Sequence, residues 1–446
     1  MVYGQKFIPE PHVFHAAVLI DYKIYFIGGN DPNKTDSEQN PEGEIFYFNI
    51  DPNDNENLFS WVNIQSQGVK LPHTFSHAAD IGGVNQDSIF IIGGAHLDEK
   101  DTNYLYRFDT KTNELSVPVI QGMAPPTRMG MKTINYEGKI YTFGGRTFNT
   151  DPSKSIYFNQ LDILDTINLN WQVGNIVNSP GPLTGYTATL VNGIIYYIGG
   201  RSSEYVFPPM TDVCKIFQYD IVGDKWSLKK ATTADADTMP GSRTGHSAVL
   251  YNGKIYVYGG SYYTSETAFD MPAKETFAML DVVTLVWSIP PLNGTDIPAL
   301  AYHTASLKGP AMFISFGAHM ESPDTLYQGS NSTYVFFLSE PIIGWGSILL
   351  SGTTSQKTST VMPPSTDTPS SESVSASPQN TMSKSVIVGI SVGSVLVVLI
   401  IFVVFSIAYK RIKRNQSNIK REFSHPDGQS QIPPDDDKHP SMYLQQ

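Results

Sequence analysis

The chain has a single cysteine, Cys214, among 446 residues. No intramolecular disulfide and no thiolate metal cluster can therefore form, so the fold must be held together by packing alone. The neighbours of Cys214 in the segment DVCKIFQYD have the composition of a β-strand. This context predicts a buried and unreactive thiol.

Positive charge is also scarce. Lys and Arg number 30 against 42 Asp and Glu, which gives a formal net charge of −12. Nucleic-acid binding needs clustered Lys and Arg, so this balance argues against a nucleic-acid partner. Gly, Pro, Tyr and Phe are abundant instead, at 36, 30, 24 and 23 residues. Such a composition predicts many short strands separated by tight turns.

A hairpin that ends in two glycines recurs along the chain. In RTGHSAVLYNGKIYVYGG (243–260), an Asn252-Gly253 turn joins two apolar strands. The copies are about 51 to 65 residues apart, and the sixth copy, MFISFGA at 312–318, has Gly317-Ala318 in place of the pair. The five complete pairs are Gly28 and Gly29, Gly93 and Gly94, Gly144 and Gly145, Gly199 and Gly200, and Gly259 and Gly260.

Each copy continues into a third strand that ends near an acidic residue, usually with a Trp six positions later. Asp165 and Trp171, Asp220 and Trp226, and Asp281 and Trp287 fit this spacing. The exceptions are a longer gap from Asp51 to Trp61, Leu115 in the Trp place after Asp109, and Ser339 in the acidic place before Trp345. All five tryptophans fall in this column, and we predict that each packs between neighbouring units.

Together, these motifs over residues 11–350 resemble the kelch-repeat β-propeller family. The resemblance implies an all-β fold with six four-stranded antiparallel blades, and residues 1–350 form the propeller domain. One blade cannot bury both of its faces, so the array is expected to close into a ring. Residues 1–8 are a candidate edge strand for the last blade.

The composition changes after residue 350. Residues 351–384 are rich in Ser, Thr and Pro, which predicts a disordered stalk, O-glycosylated or a plain linker. Residues 386–409 carry no charge and would form about 36 Å of helix, enough for a single transmembrane span. Gly389 and Gly393 form a small-xxx-small pattern that can pair such helices into a weak dimer.

The basic cluster KRIKR at 410–414 predicts a cytoplasmic, disordered tail over 410–446, with the propeller on the lumenal or extracellular side. A single-pass protein of the plasma membrane or secretory pathway is therefore expected. N-glycosylation sequons at Asn33, Asn293 and Asn331 agree with that side, whereas Asn415 is a sequon on the other side. The first residues, MVYGQKFIPEP, lack the apolar core of a signal peptide, which suggests an incomplete start.

Catalytic chemistry needs a separate test, because fold does not fix function. The resemblance includes galactose oxidase, a copper oxidoreductase with a Tyr cross-linked to Cys, but Cys214 lies in a third strand away from the axis. Plant kelch specifier proteins hold iron with Glu-x-x-x-Asp-x-x-x-His, and here Glu266 and Asp270 precede Lys274, a poor ligand. We predict no cofactor. His15, His77, His246 and His303 share one repeat column, which favours buried imidazoles bonded to backbone over metal ligands.

The remaining candidates for function are surface residues. The residues directly after each glycine pair should rim one mouth of the ring, with Arg128 and Arg243 on neighbouring loops. Arginines there can capture carboxylates or sulfated glycans, although Arg128 and Arg243 can instead bond blade backbone. The sequence therefore predicts a membrane-anchored, non-enzymatic module that binds a protein or glycan at the mouth. An intracellular scaffold for trafficking or the cytoskeleton is the alternative to this topology. The rim residues are Asn30, Ala95, Arg146, Arg201, Ser261 and His319.

Overall fold

The computed structural model describes residues 7–348, except 41, 65, 97–102, 150–153, 203–209, 263–269, 294–296, 321–327 and 340–341. The predicted stalk, transmembrane segment and tail lie outside the described residues, and so does the small-xxx-small pattern. Within the described residues, no helix is long and apolar enough to span a bilayer.

Six antiparallel sheets, one for each hairpin repeat, form blades 1 to 6, and this confirms the predicted propeller. In each blade the first strand is innermost and contacts the first strands of the two neighbouring blades. The strands are Ala16–Ile20, Lys23–Ile27, Ile45–Asn49 and Ser60–Asn63 in blade 1; Ala78–Gly82, Ser88–Ile92, Leu105–Asp109 and Glu114–Ser116 in blade 2; Thr133–Tyr136, Lys139–Phe143, Leu161–Asp165 and Asn170–Val173 in blade 3; Thr187–Val191, Ile194–Ile198, Lys215–Asp220 and Lys225–Lys230 in blade 4; Ser247–Tyr251, Lys254–Tyr258, Phe277–Asp281 and Val286–Ser288 in blade 5; and Thr304–Lys308, Ala311–Ser315, Thr333–Phe337 and Ile343–Ile348 in blade 6.

Shorter elements complete the blades. Three linker segments add a short parallel strand to the outer edges of blades 2, 5 and 6, namely Gln67–Gly68, Thr232–Thr233 and Leu292–Asn293. Four two-stranded sheets pair Thr74–Phe75 with Ala95–His96, Leu183–Thr184 with Arg201–Ser202, Ser261–Tyr262 with Met271–Pro272, and Leu300–Ala301 with Ala318–His319. Single-turn 3₁₀ helices in the described residues include Asp36–Glu38 and Ala236–Thr238.

A belt of six backbone hydrogen bonds closes the ring. In each blade, a residue two or three positions ahead of the innermost strand donates its N–H to the carbonyl of the equivalent residue in the preceding blade, at N···O distances from 2.7 to 3.2 Å. All six residues have left-handed φ angles, between 53° and 75°. The belt residues are Phe14, Ser76, Gly130, Gly185, Gly245 and Tyr302. Because Phe14 donates to Tyr302, the last blade is joined directly to the first.

The predicted edge strand at the N-terminus is not seen in the part that is described. Phe7 and Ile8 belong to no strand, and residues 1–6 lie outside the description. The Phe7 ring packs edge-on against Phe46 of blade 1 at a centroid distance of 5.7 Å. Phe7 therefore contributes packing rather than a β-ladder.

The glycine pairs lie where each blade meets the next. A Cβ on Gly259, at φ +63°, would lie 2.1 Å from the carbonyl oxygen of Leu300 in blade 6. The N–H of Gly260 donates to the same oxygen at 2.8 Å. In blade 6 this position is shifted by one residue from the predicted one, because Phe316 (φ 62°) and Gly317 (φ 94°) adopt the two left-handed conformations. The Phe316 ring fills the space there and packs against His12 of the N-terminal segment at 5.4 Å.

The tryptophan column packs against the preceding blade, as predicted. Trp61 of blade 1 contacts Phe316 of blade 6 at a centroid distance of 5.3 Å. Trp287 is 1 % exposed and its indole N–H donates to the Val213 carbonyl at 3.1 Å. Leu115 takes this place in blade 2 and is fully buried. Trp226 is buried, and Trp171 and Trp345 are half-buried.

The acidic column has a local structural role. Asp281 accepts the amide N–H groups of Val283 and Thr284, and the backbone bond from Thr284 is the main cause that lowers the Asp281 pKa. The carboxylate thus terminates the third strand in a tight turn. Two predicted members of the column are corrected. In blade 1 Phe48 pairs with Trp61, so the next residue, Asn49, takes the acidic position rather than Asp51. In blade 6 Phe336 pairs with Trp345, so Phe337 takes it rather than Ser339. The shift arises because both blades have longer turns before the fourth strand.

Candidate binding surface at the mouth of the ring

The belt marks one end of the propeller, which we call the mouth. At this end a long connection joins the second strand of every blade to the third, whereas short turns close the hairpins at the opposite end. The long connections span 28–44, 93–104, 144–160, 199–214, 259–276 and 316–332. Because binding residues concentrate on loops that a rigid scaffold positions, the mouth is the candidate functional surface.

The rim is only partly as the sequence predicts. Asn30, Arg146 and Arg201 are half-buried at the predicted place, where each pairs with the residue just ahead of the belt. Ala95 and Ser261 occupy the same column but are buried. The sixth member is Ala318 rather than His319, because of the one-residue shift at Phe316. His319 is half-buried and follows the rim position.

Arg146 lies on the connection of blade 3. Its guanidinium donates to the Thr147 carbonyl at 3.2 Å and to the Ser155 hydroxyl at 3.1 Å, and both of these acceptors are neutral. These bonds fix the direction of the side chain at the rim. A fixed guanidinium fork suits a planar anionic group such as a carboxylate or sulfate.

Arg201, on blade 4, belongs to a network that crosses two blade boundaries. Its Nη2 lies 3.2 Å from Oδ1 of Asp270, on the blade 5 connection, and 3.4 Å from the Tyr302 hydroxyl in the belt. Tyr302 donates in turn to Asp270, and its hydroxyl lies 3.3 Å from that of Ser261. Burial is the main cause that raises the Tyr302 pKa, so the phenol keeps its proton and remains a donor. The Phe14 ring packs on Tyr302 at 4.4 Å.

The opposite side of the mouth is acidic. A cavity of about 40 Å³ lies at blade 1, and His12, Asp31, Glu44 and His73 contribute to its walls. His12 Nε2 lies 3.5 Å from Glu44 Oε2, and this contact is the main cause that lowers the Glu44 pKa. His73 Nε2 lies 2.8 Å from the Asn30 amide oxygen. The arginines on blades 3 and 4 therefore face a carboxylate-bearing cavity across the ring.

Arg128 and Arg243 are internal. Arg243 is fully buried and donates to the backbone carbonyls of Gly241, Gly259 and Glu275 at 2.9 to 3.0 Å, as the alternative prediction states. Arg128 is 1 % exposed and forms an ion pair with buried Asp162 on blade 3, so its partner is a carboxylate and not the backbone. Neither side chain is available to a ligand in this conformation.

The four column histidines are buried, as predicted, and three of them also have a side-chain partner. The ring Nε2 of each of these three lies within 2.8 to 3.2 Å of a hydroxyl on the preceding blade. The pairs are His15 with Thr304, His246 with Thr187, and His303 with Ser247. Backbone groups of Ile27, Ile198 and Tyr258 interact with His77, His246 and His303, respectively. Burial is the main cause that lowers the pKa of His77 and of His303 to about 3. These imidazoles are neutral links between blades.

The residues weighed for metal chemistry are dispersed. Cys214 is half-buried ahead of the third strand of blade 4, and its sulfur contacts that of Met239 at 3.7 Å. Asp270 is bonded to Arg201 and Tyr302, Lys274 donates to the Asp237 carbonyl, and Glu266 lies outside the described residues. In the described portion of the chain, no three His, Cys, Asp or Glu side chains are grouped to hold a metal.

The sequon asparagines Asn33, Asn293 and Asn331 are all exposed. Each is therefore accessible to modification, and glycosylation itself stays a prediction. Asn33 also accepts a hydrogen bond from the Gly329 N–H at 3.3 Å.

The carboxyl group of Asp80, which the repeat pattern does not predict, destabilises the folded protein when it is ionised. It lies on the innermost strand of blade 2, and burial raises its pKa to about 6 from an ordinary 3.8. Since the folded pKa lies above the unfolded one, stability declines as the pH rises from about 4 to about 6. Asp80→Asn should therefore stabilise the protein by up to about 3 kcal/mol at pH 7.5 and by much less at pH 4. Urea unfolding at the two pH values measures this, and an equal gain at both would contradict the assignment.

The geometry defines the class: a closed six-bladed β-propeller with a charged mouth at one end. The chain belongs to the KLHDC2/KLHL20/DRC7 kelch-repeat family, whose Kelch-repeats domain matches residues 14–260, more than half of the chain.

Named relatives agree with this family. The chain is 26% identical over 260 residues to Kelch domain-containing protein 3 of Bos taurus, covering 56% of this chain and 63% of that one. It is 25% identical over 229 residues to Tip elongation aberrant protein 1 of Schizosaccharomyces pombe, with coverage of 51% and 19%. The match therefore spans less than two thirds of these relatives.

A third relative has an enzymatic name. The N-(sulfonatooxy)prop-2-enimidothioate sulfolyase of Thlaspi arvense is 24% identical over 281 residues, covering 60% of this chain and 77% of that one. Among solved structures, the one titled "Structure of YjhT" aligns with a TM-score of 0.57 at 12% identity, covering 76% of this chain and 98% of that chain. At that identity the likeness supports the fold alone.

Proposed function

We propose that the protein is a non-enzymatic binding module that receives a protein or glycan partner at the mouth of the propeller. The observation that carries the proposal is the pair of rim arginines, Arg146 and Arg201. They lie on adjacent blades and are half-buried, and hydrogen bonds hold each in one direction. Such preorganised groups lose little conformational freedom when they bind.

The charge distribution predicts how the partner is oriented at the mouth. Arginines on blades 3 and 4 suit a carboxylate or sulfate of the partner, and the cavity at blade 1 suits a basic group. Arg201 is already paired with Asp270, so an anionic ligand competes with that carboxylate for its guanidinium.

We also propose that the propeller is displayed on the lumenal or extracellular face of a membrane, tethered through residues 351–384 to a span at 386–409. The uncharged segment and the basic cluster that follows it support this proposal. Protease treatment of sealed vesicles tests it. Protection of the propeller and digestion of an epitope at the C-terminus are expected, and the reverse pattern would favour the intracellular scaffold.

Loss of the rim arginines should strongly weaken partner capture. The protein with both Arg146→Ala and Arg201→Ala is expected to lose at least about a hundredfold in affinity for a partner bound by the wild type, because each charge-assisted contact contributes about 1.5 to 3 kcal/mol. Surface plasmon resonance against that partner measures the loss.

Arg107→Ala is the matched control. Arg107 is a half-buried arginine on the third strand of blade 2, where it bonds Ser88 away from the rim. Its replacement should leave affinity within about twofold of the wild type. Unchanged capture by the double variant would reject the arginine-bearing side of the mouth.

A further inference from the structure

One lysine stands where the other five blades have small side chains. The position directly after the column of His15 is Lys132 in blade 3, where it lies immediately ahead of the innermost strand Thr133–Tyr136. The equivalent residues are Ala16, Ala78, Thr187, Ser247 and Thr304. A long cationic side chain is thus placed inside the ring, just below the belt.

The hydroxyl-bearing members of this column are all hydrogen-bonded to the next blade. Thr187, Ser247 and Thr304 each contact an imidazole, as described above. Beside Lys132, however, the next blade presents Tyr186. The Tyr186 hydroxyl donates to the Phe143 carbonyl and lies 3.4 Å from the backbone nitrogen of Lys132. The tyrosine therefore satisfies backbone groups and not the lysine side chain.

Among the described residues, the ammonium group of Lys132 has no counter-ion. Across the residues that the structure describes, no hydrogen bond or ion pair joins Lys132 Nζ to another group. Burial lowers the Lys132 pKa, and no carboxylate opposes this effect. Asp80, the nearby acid of blade 2, contacts Thr133 and Asn135 on the other side of the same strand.

Lys132 lies close to the axis, two residues after the belt residue Gly130 and directly ahead of the innermost strand Thr133–Tyr136. Its charge also contributes to lowering the pKa of histidines on four different blades, which agrees with a central location. The histidines are His15, His77, His246 and His303. Lys132 is half-buried, so the water that reaches it is in the axial channel.

The neighbouring channel wall offers little to solvate a charge. One position further along, each of the other five blades presents a half-buried alanine. These residues are Ala17, Ala79, Ala188, Ala248 and Ala305. A counter-charge therefore stabilises an ammonium that is partly removed from water beside this apolar wall.

We propose that Lys132 holds a small oxyanion in the axial channel, below the mouth and separate from the rim arginines. A sulfate, a phosphate or a carboxylate of acetate size supplies the missing counter-charge. The occupant would stabilise the ring from its centre, where the six innermost strands meet. This site is independent of the function proposed for the mouth.

Anion-dependent melting of the full-length protein tests the proposal. Sulfate, phosphate and acetate are titrated at constant ionic strength against gluconate, a larger anion that serves as the reference. At ten times the dissociation constant of the best anion, the melting temperature should rise by about 3 °C. Lys132→Met should remove the rise, and Lys229→Met, which alters an exposed lysine on blade 4, should keep it.

An equal response from the wild type and Lys132→Met would overturn the proposal, since the effect would then be general salt stabilisation. If Lys132→Met does not fold, crystals of the wild type grown with selenate decide the matter. An anomalous selenium peak within about 4 Å of Lys132 Nζ is expected, at the distance of a direct ion pair. The absence of a peak there would likewise overturn the site.

Discussion

Lowering the pH from 7 to 5 is expected to destabilise the propeller by several kcal/mol. The cause is the column of buried imidazoles at the blade boundaries. His77 and His303 have folded-state pKa values of about 3, and burial is the main cause of both shifts. Burial also lowers the pKa of His15 and His246 well below the ordinary value of 6.5.

The sign follows from proton uptake. Below pH 6.5 the unfolded chain binds protons at these histidines and the folded protein does not, so stability falls from about pH 6.5 down to about pH 3. At pH 5 the loss is about 2 kcal/mol for each of His77 and His303. His15 and His246 act in the same direction. Asp80 opposes them by about 1 kcal/mol, because its folded-state pKa of about 6 favours proton uptake by the fold.

Chemical denaturation at pH 7 and pH 5 measures the loss. His303→Gln is the matched variant, because the amide can still donate to the Ser247 hydroxyl but does not titrate. It is expected to be less stable than the wild type at pH 7 and to lose about 2 kcal/mol less between the two pH values. A wild-type protein equally stable at both pH values would show that these imidazoles are not held neutral.

Truncating a boundary tryptophan is expected to have a comparable effect. Trp287→Ala should destabilise the protein by about 3 to 5 kcal/mol, because it empties a fully buried site and leaves the Val213 carbonyl without its indole donor. Trp287→Leu should destabilise the protein less than Trp287→Ala, since a leucine, Leu115, occupies the equivalent site of blade 2 and is fully buried there. Guanidinium denaturation of both variants gives the ranking.

Trp345→Ala is the internal control for this comparison. Trp345 is half-buried, and it stacks on Phe336 of its own blade at 5.9 Å. Its loss is expected to destabilise the protein by less than half as much as the loss of Trp287, because folding removes less of the apolar surface of Trp345 from water. Equal effects at the two positions would mean that the indoles do not act through burial at the blade boundary.

The repeat pattern was sufficient for the blades because its information is local. Each hairpin is encoded by alternating apolar residues, an Asn252-Gly253 type of turn and a glycine pair, all within one stretch of chain. The places where the pattern shifted are those where a longer turn or a substitution changes the register. Phe316 at a glycine position and Asn49 beside Trp61 are examples. A motif count cannot detect them, because only strand pairing reveals which residues are equivalent.

The candidate site was less accessible to sequence reasoning. Arg146 and Arg201 were predicted at the rim, but nothing in their local sequence shows that Asp270 pairs with Arg201, or that Tyr302 lies 3.4 Å from the same guanidinium. Arg128 has the same sequence context as Arg243, yet it pairs with Asp162 while Arg243 bonds backbone. The sequence did carry a signal of the belt, because three of its six left-handed positions are glycines, namely Gly130, Gly185 and Gly245.

The amino-acid sequence determined that this protein builds six antiparallel sheets with a tryptophan or leucine at each outer boundary, since strand alternation and turn chemistry act between near neighbours in the chain. The tertiary structure alone decided which side chains meet across the boundaries. The six-bond belt and the Arg201–Asp270–Tyr302 network both join different repeats. Closing a ring brings together residues that are far apart in the chain, and no local pattern encodes their contact.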